Sequence, residues 1–166
     1  MPKEPYRLED NIGFLLRVCQ QKSVAVFNQY APEGLSSPRF AALAALVEAG
    51  GPVAQNRLGR LIATDAATIK GIVDRLKRLS AVDTSANPAD RRQRLVSVTP
   101  VGREMYERGV AASVESSRAM FEDLSREESD MLRRLLRRVG NVSLHQHSTK
   151  FETCRQSVRK IDATTQ

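Results

Sequence analysis

The chain has 166 residues, 41% of them hydrophobic and 27% charged, with a formal net charge of +7 and two cysteines. That length suits one domain, or two small lobes sharing a core. No apolar run approaches the ~18 residues of a membrane-spanning helix, and Met1-Pro2-Lys3-Glu4-Pro5 has no apolar signal core, so a soluble, cytoplasmic protein with no membrane partner is expected.

In chain order, Leu8, Ile12, Leu15, Leu16, Cys19, Val26 and Phe27 outline a long amphipathic helix that stops before the turn Ala31-Pro32-Glu33-Gly34. Cys19 lies on the apolar stripe and reads as a small core residue. Ser36 or Ser37 can cap a second helix with Pro38 in its first turn, and Phe40, Leu43, Leu46 and Val47 form its buried face before Gly50-Gly51-Pro52 ends it.

From Gln55 to Thr99 the pattern is that of two short helices followed by a basic hairpin. Asn56 to Ala63 carries Leu58, Leu61 and Ile62 in one stripe. After a short polar step, Thr64 or Asp65 caps a helix running to about Leu79, in which Ile69, Ile72, Val73, Leu76 and Leu79 share one face. The opposite face carries Ala67, Lys70, Gly71, Asp74 and Arg78, with Thr68 and Arg75 on its shoulder. Little bulk and several cations on the exposed side suit a helix that enters a major groove. A hairpin wing is expected next, Ala81 to Thr84 and Arg94 to Thr99 around a loop from Ala86 to Arg92.

Charge is localised on this stretch. Between Gln55 and Arg103 ten Lys or Arg stand against four Asp, whereas residues 1–54 balance to zero and 104–166 to +1. A solvated surface would spread its charges, so this concentration points to a polyanion, double-stranded DNA, as partner. Thr99 and Pro100 then start a long helix to about Asp123. Ser125 and Glu128 form a capping box for a last helix striped by Met131, Leu132, Leu135, Leu136 and Val139. Long helices with unused apolar faces on both sides of a DNA module imply a homodimer. His145 and His147 form H-x-H without further ligands, so a surface role outweighs metal binding; the tail 148–166 is polar. No cysteine pair has metal-ligand spacing, a structural disulfide is not expected, and no nucleophile pair, phosphate-cradling loop or metal cluster is found. Neither an enzyme nor a cofactor is expected.

Asp90-Arg91-Arg92 followed by Val96, Val98-Thr99-Pro100 and Gly102 resembles the wing signature of the multiple-antibiotic-resistance regulator (MarR) family of winged-helix transcription factors. Ser37-Pro38-Arg39-Phe40-Ala41-Ala42-Leu43 and the run from Ala67 to Leu76 support the likeness, which spans roughly Leu8 to Val139. Two departures stand out: Ser80-Ala81 where the family often has Gly-Leu, and Arg39 where relatives often have Gln. Gly13 precedes Phe14-Leu15-Leu16 where the peroxide-sensing branch has a reactive Cys, which argues against that branch.

The resemblance implies a mainly α fold with a small β-hairpin wing (α+β). A single domain would span 1–166, with a helical dimerisation lobe from 8–34 and 100–147 and a winged helix-turn-helix lobe from 36–99. It also implies a ligand-responsive repressor of a palindromic operator, released by a small-molecule effector, an anionic aromatic acid or its coenzyme A thioester. The run Gln55 to Arg60, with Ala67 to Gly71, is similar to the subgroup that controls aromatic-compound degradation. Expected at the DNA are Thr64, Ala67, Thr68, Lys70, Gly71, Arg75 and Arg78, and in the wing Arg91, Arg92, Arg94 and Asp90, the last to orient Arg92 or close the turn. Expected at the effector are Arg39, Phe40, Phe14, Arg17, Phe27 and Leu43, with Arg39 facing its anionic group. A thiol-switched regulator and an architectural DNA-coating protein are the alternatives.

Overall fold

The computed structural model describes residues 6–142; His145, His147, Cys154 and the polar tail lie outside them. Residues up to Glu122 form one compact unit and residues from Asp123 another. The first begins with a 3-10 turn at Leu8–Asp10, then α1 (Ile12–Tyr30), α2 (Ser37–Ala49), β1 (Val53–Ala54), α3 (Gln55–Leu61), α4 (Ala66–Arg78), β2 (Val82–Asn87), β3 (Asp90–Val98) and α5 (Pro100–Met120). The second contains α6 (Arg126–Val139), whose capping box of Ser125 and Glu128 forms as expected. The mainly α class with a small antiparallel sheet is the expected one.

The core of the first unit gathers Leu43 and Leu46 of α2, Leu58 of α3, Ile69, Val73 and Leu76 of α4, and Val82 and Val96 of the hairpin, each essentially without solvent contact. These are the inward positions of each period, so burial selects the helix phase and strand register together. The sheet runs β1-β3-β2, with Val53 opposite Val96 and Val82 opposite Val98.

Several local expectations need correction. The 86–92 loop is in truth a tight turn at Pro88-Ala89, because the Asn87 carboxamide accepts a hydrogen bond from the Ala89 N–H (3.0 Å) and the strands pair through the flanking polar residues. Leu61 is exposed; α3 ends there, and Ile62 packs on the core instead. Ser36 stands at the N-cap of α2, but its hydroxyl accepts nothing from that helix. Leu8 lies in the 3-10 turn, and Cys19 is exposed, because Phe27 is the buried residue of α1 and most of the helix ahead of it is open to solvent.

The end of α4, the end of the wing and the start of α5 meet at Thr99. Its hydroxyl oxygen accepts from Gly102 N–H (3.0 Å) as the N-cap of α5, its O–H donates to the Ser80 carbonyl (2.6 Å), and its N–H donates to the Ala81 carbonyl (3.1 Å). A Cβ on Gly102 would stand 1.9 Å from the Ala81 oxygen, so only glycine permits α5 to lie this close. Gly102→Ala should therefore cost at least ~1–3 kcal/mol, the usual price of overpacking, seen as a lower urea midpoint; an unchanged midpoint would show that α5 can simply slide.

Candidate nucleic-acid interface

Helix α4 starts at a strong cap. Asp65 accepts from the Ala67 and Thr68 N–H groups, both at 2.9 Å, and from the Thr68 hydroxyl at 2.6 Å. The bond from the Thr68 hydroxyl, then the backbone bonds, hold its carboxyl below the usual range. Thr64, the other expected cap, instead donates its N–H to the Gly59 carbonyl (2.9 Å), while the Ala63 N–H reaches the Arg60 carbonyl (3.3 Å) with Ala63 at φ 54°. That is a Schellman ending of α3, and with the Asp65 cap it forms the tight turn of a helix-turn-helix.

Because Ile69, Ile72, Val73 and Leu76 face the core, Ala67, Thr68, Lys70, Gly71, Asp74, Arg75 and Arg78 are all exposed on the other side. Thr64 is half-buried. The wing adds Arg91, Arg92 and Arg94, also exposed. Asp90 closes the turn: it accepts from the Arg92 N–H (3.1 Å) and the Gln93 side-chain amide (3.0 Å).

Helix and wing are drawn together at Thr84, whose hydroxyl oxygen accepts from Lys77 Nζ (3.4 Å) and Arg94 Nη1 (3.3 Å). A cleft of about 420 Å³ lies here, lined by Gln55, Lys70, Asp74, Lys77, Thr84 and Arg94. Gln55, Lys77 and Thr84 were not among the expected site residues. The spacing of Lys77, seven after Lys70 and so on the same side of α4, was the available signal. Ion pairs among the described residues join Arg7 to Glu9 and Asp10, Arg118 to Glu115, and Arg133 to Asp130; none engages a cation of this face.

The residues expected at an effector divide into four groups. Phe14 and Arg17 come together on α1, the guanidinium 5.4 Å from the ring centre. Phe27 and Phe40 stack at 5.6 Å between ring centres, and Phe40 stacks in turn on Tyr106 of α5 at 6.0 Å. Leu43 is fully buried in the core and presents no surface to a ligand. Gly109 lets the Phe40 ring lie on α5, since a Cβ there would come within 2.5 Å of it. Arg39 is half-buried and donates from Nη1 to the Gly34 carbonyl. Its pKa is lowered by burial first and then by the charges of Arg75 and Arg78, which places it on the positive flank of α4.

No family model matches the chain. It is 35% identical over 136 residues to the HTH-type transcriptional repressor NicR of Pseudomonas putida, covering 81% of this chain and 85% of that one. The chain belongs to the MarR family of winged-helix transcriptional regulators. Among solved structures, a probable transcriptional regulator of Pseudomonas aeruginosa is 47% identical, with a TM-score of 0.75 over 80% of this chain and 99% of that one. BpsR of Bordetella bronchiseptica, whose DNA binding is regulated by 6-hydroxynicotinic acid, is 33% identical, with a TM-score of 0.77 over 84% and 100%.

The Asp65 cap carries a pH signature. Its folded pKa lies below the unfolded one, so its contribution to stability is present above the unfolded pKa and is lost as pH falls through the folded pKa. Asp65→Ala should lower the melting temperature at neutral pH, and the gap should close as pH falls below the carboxylate range. A gap that stays constant in acid would show that the carboxylate charge is not what caps α4.

Proposed function

We propose that the protein is a dimeric repressor that binds a palindromic operator sequence-specifically and leaves it when a small anionic aromatic acid binds. The observation that carries the DNA-binding part is the single face formed by α4 and the wing, where Lys70, Arg75, Lys77, Arg78, Arg91, Arg92 and Arg94 are exposed without carboxylate partners among the described ion pairs. Small side chains at the start of α4 suit base edges, the cations suit phosphates, and Arg92 suits the minor groove beside the wing.

Dimerisation is supported by unused apolar surface. Ile12, Leu15, Leu16 and Val18 of α1 are exposed, as are Met131, Leu135, Leu136 and Val139 of α6. Two α4 helices about one DNA turn apart, ~34 Å, would read successive major grooves. In this reading, 8–34 with 100–147 form the dimerisation lobe and 36–99 the DNA-binding lobe.

For the effector, the likeness to BpsR, whose DNA binding is regulated by 6-hydroxynicotinic acid, favours a small hydroxylated aromatic acid. A cleft of about 340 Å³ between the end of α1 and α5, lined by Tyr30, Pro32, Arg108, Ala111, Ala112 and Glu115, offers an aromatic ring, apolar walls and one cation. Phe14 with Arg17, and Arg39 beside α4, are further candidates for the anion. The exposed Cys19 favours a second reading, a thiol-switched regulator. Loss of DNA binding on oxidation, abolished by Cys19→Ser, would select it.

Arg92→Ala should weaken operator binding by ~1–3 kcal/mol with an unchanged melting temperature; a variant that binds as the parent does in gel-shift titration removes the wing from the interface. A thermal-shift screen of aromatic acids and their thioesters should find a free acid that raises the melting temperature and weakens DNA binding. Operator DNA must then weaken acid binding by the same factor. A light-scattering mass of one chain would rule out the dimer.

A further inference from the structure

Helix α4 contains a glycine that the fold does not need. Four other glycines lie inside helices of the same unit, and each meets a neighbour. A Cβ on Gly13 would stand 3.2 Å from the Asn11 carboxamide, on Gly59 3.2 Å from Ile69, on Gly102 1.9 Å from the Ala81 carbonyl, and on Gly109 2.5 Å from the Phe40 ring. Apart from its chain neighbours and the backbone of its own helix, Gly71 has no described atom within 4 Å of its would-be Cβ, and its φ is ordinary helical backbone. It ends no helix and makes no turn. A glycine inside a helix is less stable than alanine because it gives up more conformational freedom on folding, so the chain carries a cost at Gly71 that no contact among the described residues offsets.

Its place on the helix says where a return would come from. Gly71 sits near the middle of α4, with Ala67 one turn before it and Arg75 one turn after it on the same exposed side. A helix with its side chains is ~10–12 Å across, and the major groove is ~12 Å wide. How deep the helix sits is therefore decided by side chains at the centre of its groove-facing side. Ala67 and Gly71 keep that centre low, while Lys70, Arg75 and Arg78 flank it with groups long enough to reach phosphates.

We propose that Gly71 is a specificity-determining position. The missing Cβ lets the backbone of α4 approach the floor of the operator's major groove, so that the base pair beneath is read by close fit and the neighbouring side chains reach their bases and phosphates in register. This inference rests on the reading of the protein as a sequence-specific operator-binding regulator and names the residue that sets the depth of docking.

The test uses the full chain, with duplexes selected by the parent protein from a random DNA library as the operator probe and an unrelated duplex as the control. Gly71→Ala should raise the melting temperature by ~1–4 °C, weaken binding to the selected duplex about tenfold or more, and leave binding to the unrelated duplex within about twofold, because that binding depends on phosphates alone. Gly71→Ser, whose Cβ occupies the same space, should behave alike at the operator. Since the alanine variant is expected to be the more stable protein, poor folding cannot imitate the result. Equal affinity of parent and Gly71→Ala for the selected duplex overturns the inference, as does an equal loss on both duplexes. A parent protein that enriches no sequence from the library overturns the reading beneath it instead.

Discussion

The hydroxyl of Thr99 is the point on which the junction of α4, the wing and α5 depends. In one side chain it ends the wing, caps α5 and grips the carbonyl that follows α4, through the Gly102 N–H and the Ser80 carbonyl. The backbone beside it repeats the grip, Thr99 N–H on the Ala81 carbonyl. Helix α4 thus cannot rotate or slide without disturbing both the wing and the long helix α5. Gly102 is the steric condition for this junction, since any side chain there would collide with the Ala81 oxygen. Ser80 carries part of the burden, with its φ at 55° in the left-handed region where glycine is at ease. The Ser80 and Ala81 N–H groups close α4 onto the Lys77 and Leu76 carbonyls, a Schellman ending. The turn tolerates serine because these bonds and the Thr99 hydroxyl hold it in place.

A second junction works through aromatic rings. Phe27, Phe40 and Tyr106 come from α1, α2 and α5 and form a continuous stack, with Gly109 opening the space for the central ring. Such stacks gain from both area burial and ring alignment. The stack thus joins α1, α2 and α5 through direct ring contacts. The α1–α2 connection adds a polar counterpart where Arg39 holds the Gly34 carbonyl, and the space that a Cβ of Gly34 would enter is bordered by the Leu79 side chain at the end of α4.

What could be read from the sequence was what is local. Asp65, Thr99 with Pro100, and Ser125 with Glu128 mark helix starts by hydrogen bonds spanning two or three residues, and all three formed. The stripe of Ile69, Ile72, Val73 and Leu76 fixed the face of α4, and with it the exposed cations. Partners distant in sequence were not legible. The two residues of β1 acquire their strand character from Val96 and Leu95, and nothing in Val53-Ala54 announces that pairing. Periodicity assigned Phe27, Phe40 and Leu43 to inward faces without saying whether they meet a ligand or one another. For Cys19 the stripe was present, but the described residues leave that part of α1 open. The convergence of Lys77 and Arg94 on Thr84 required the hairpin's register, which depends on a turn shorter than its composition suggested.

The cations of the α4 and wing face are left without carboxylate partners while the ion pairs of the described residues lie elsewhere, and this bears on how such a protein finds its site. Each phosphate neutralised releases condensed counterions and steepens the fall of log affinity with log salt by ~0.9. In the proposed role, a face with this many cations free of carboxylate partners would hold any duplex at low ionic strength, favouring sliding and hopping along DNA over three-dimensional search. The same charges raise the background that a true operator must exceed. On the same reading, discrimination would fall to the short start of α4, with the charge supplying the speed of the search and a few small side chains its accuracy.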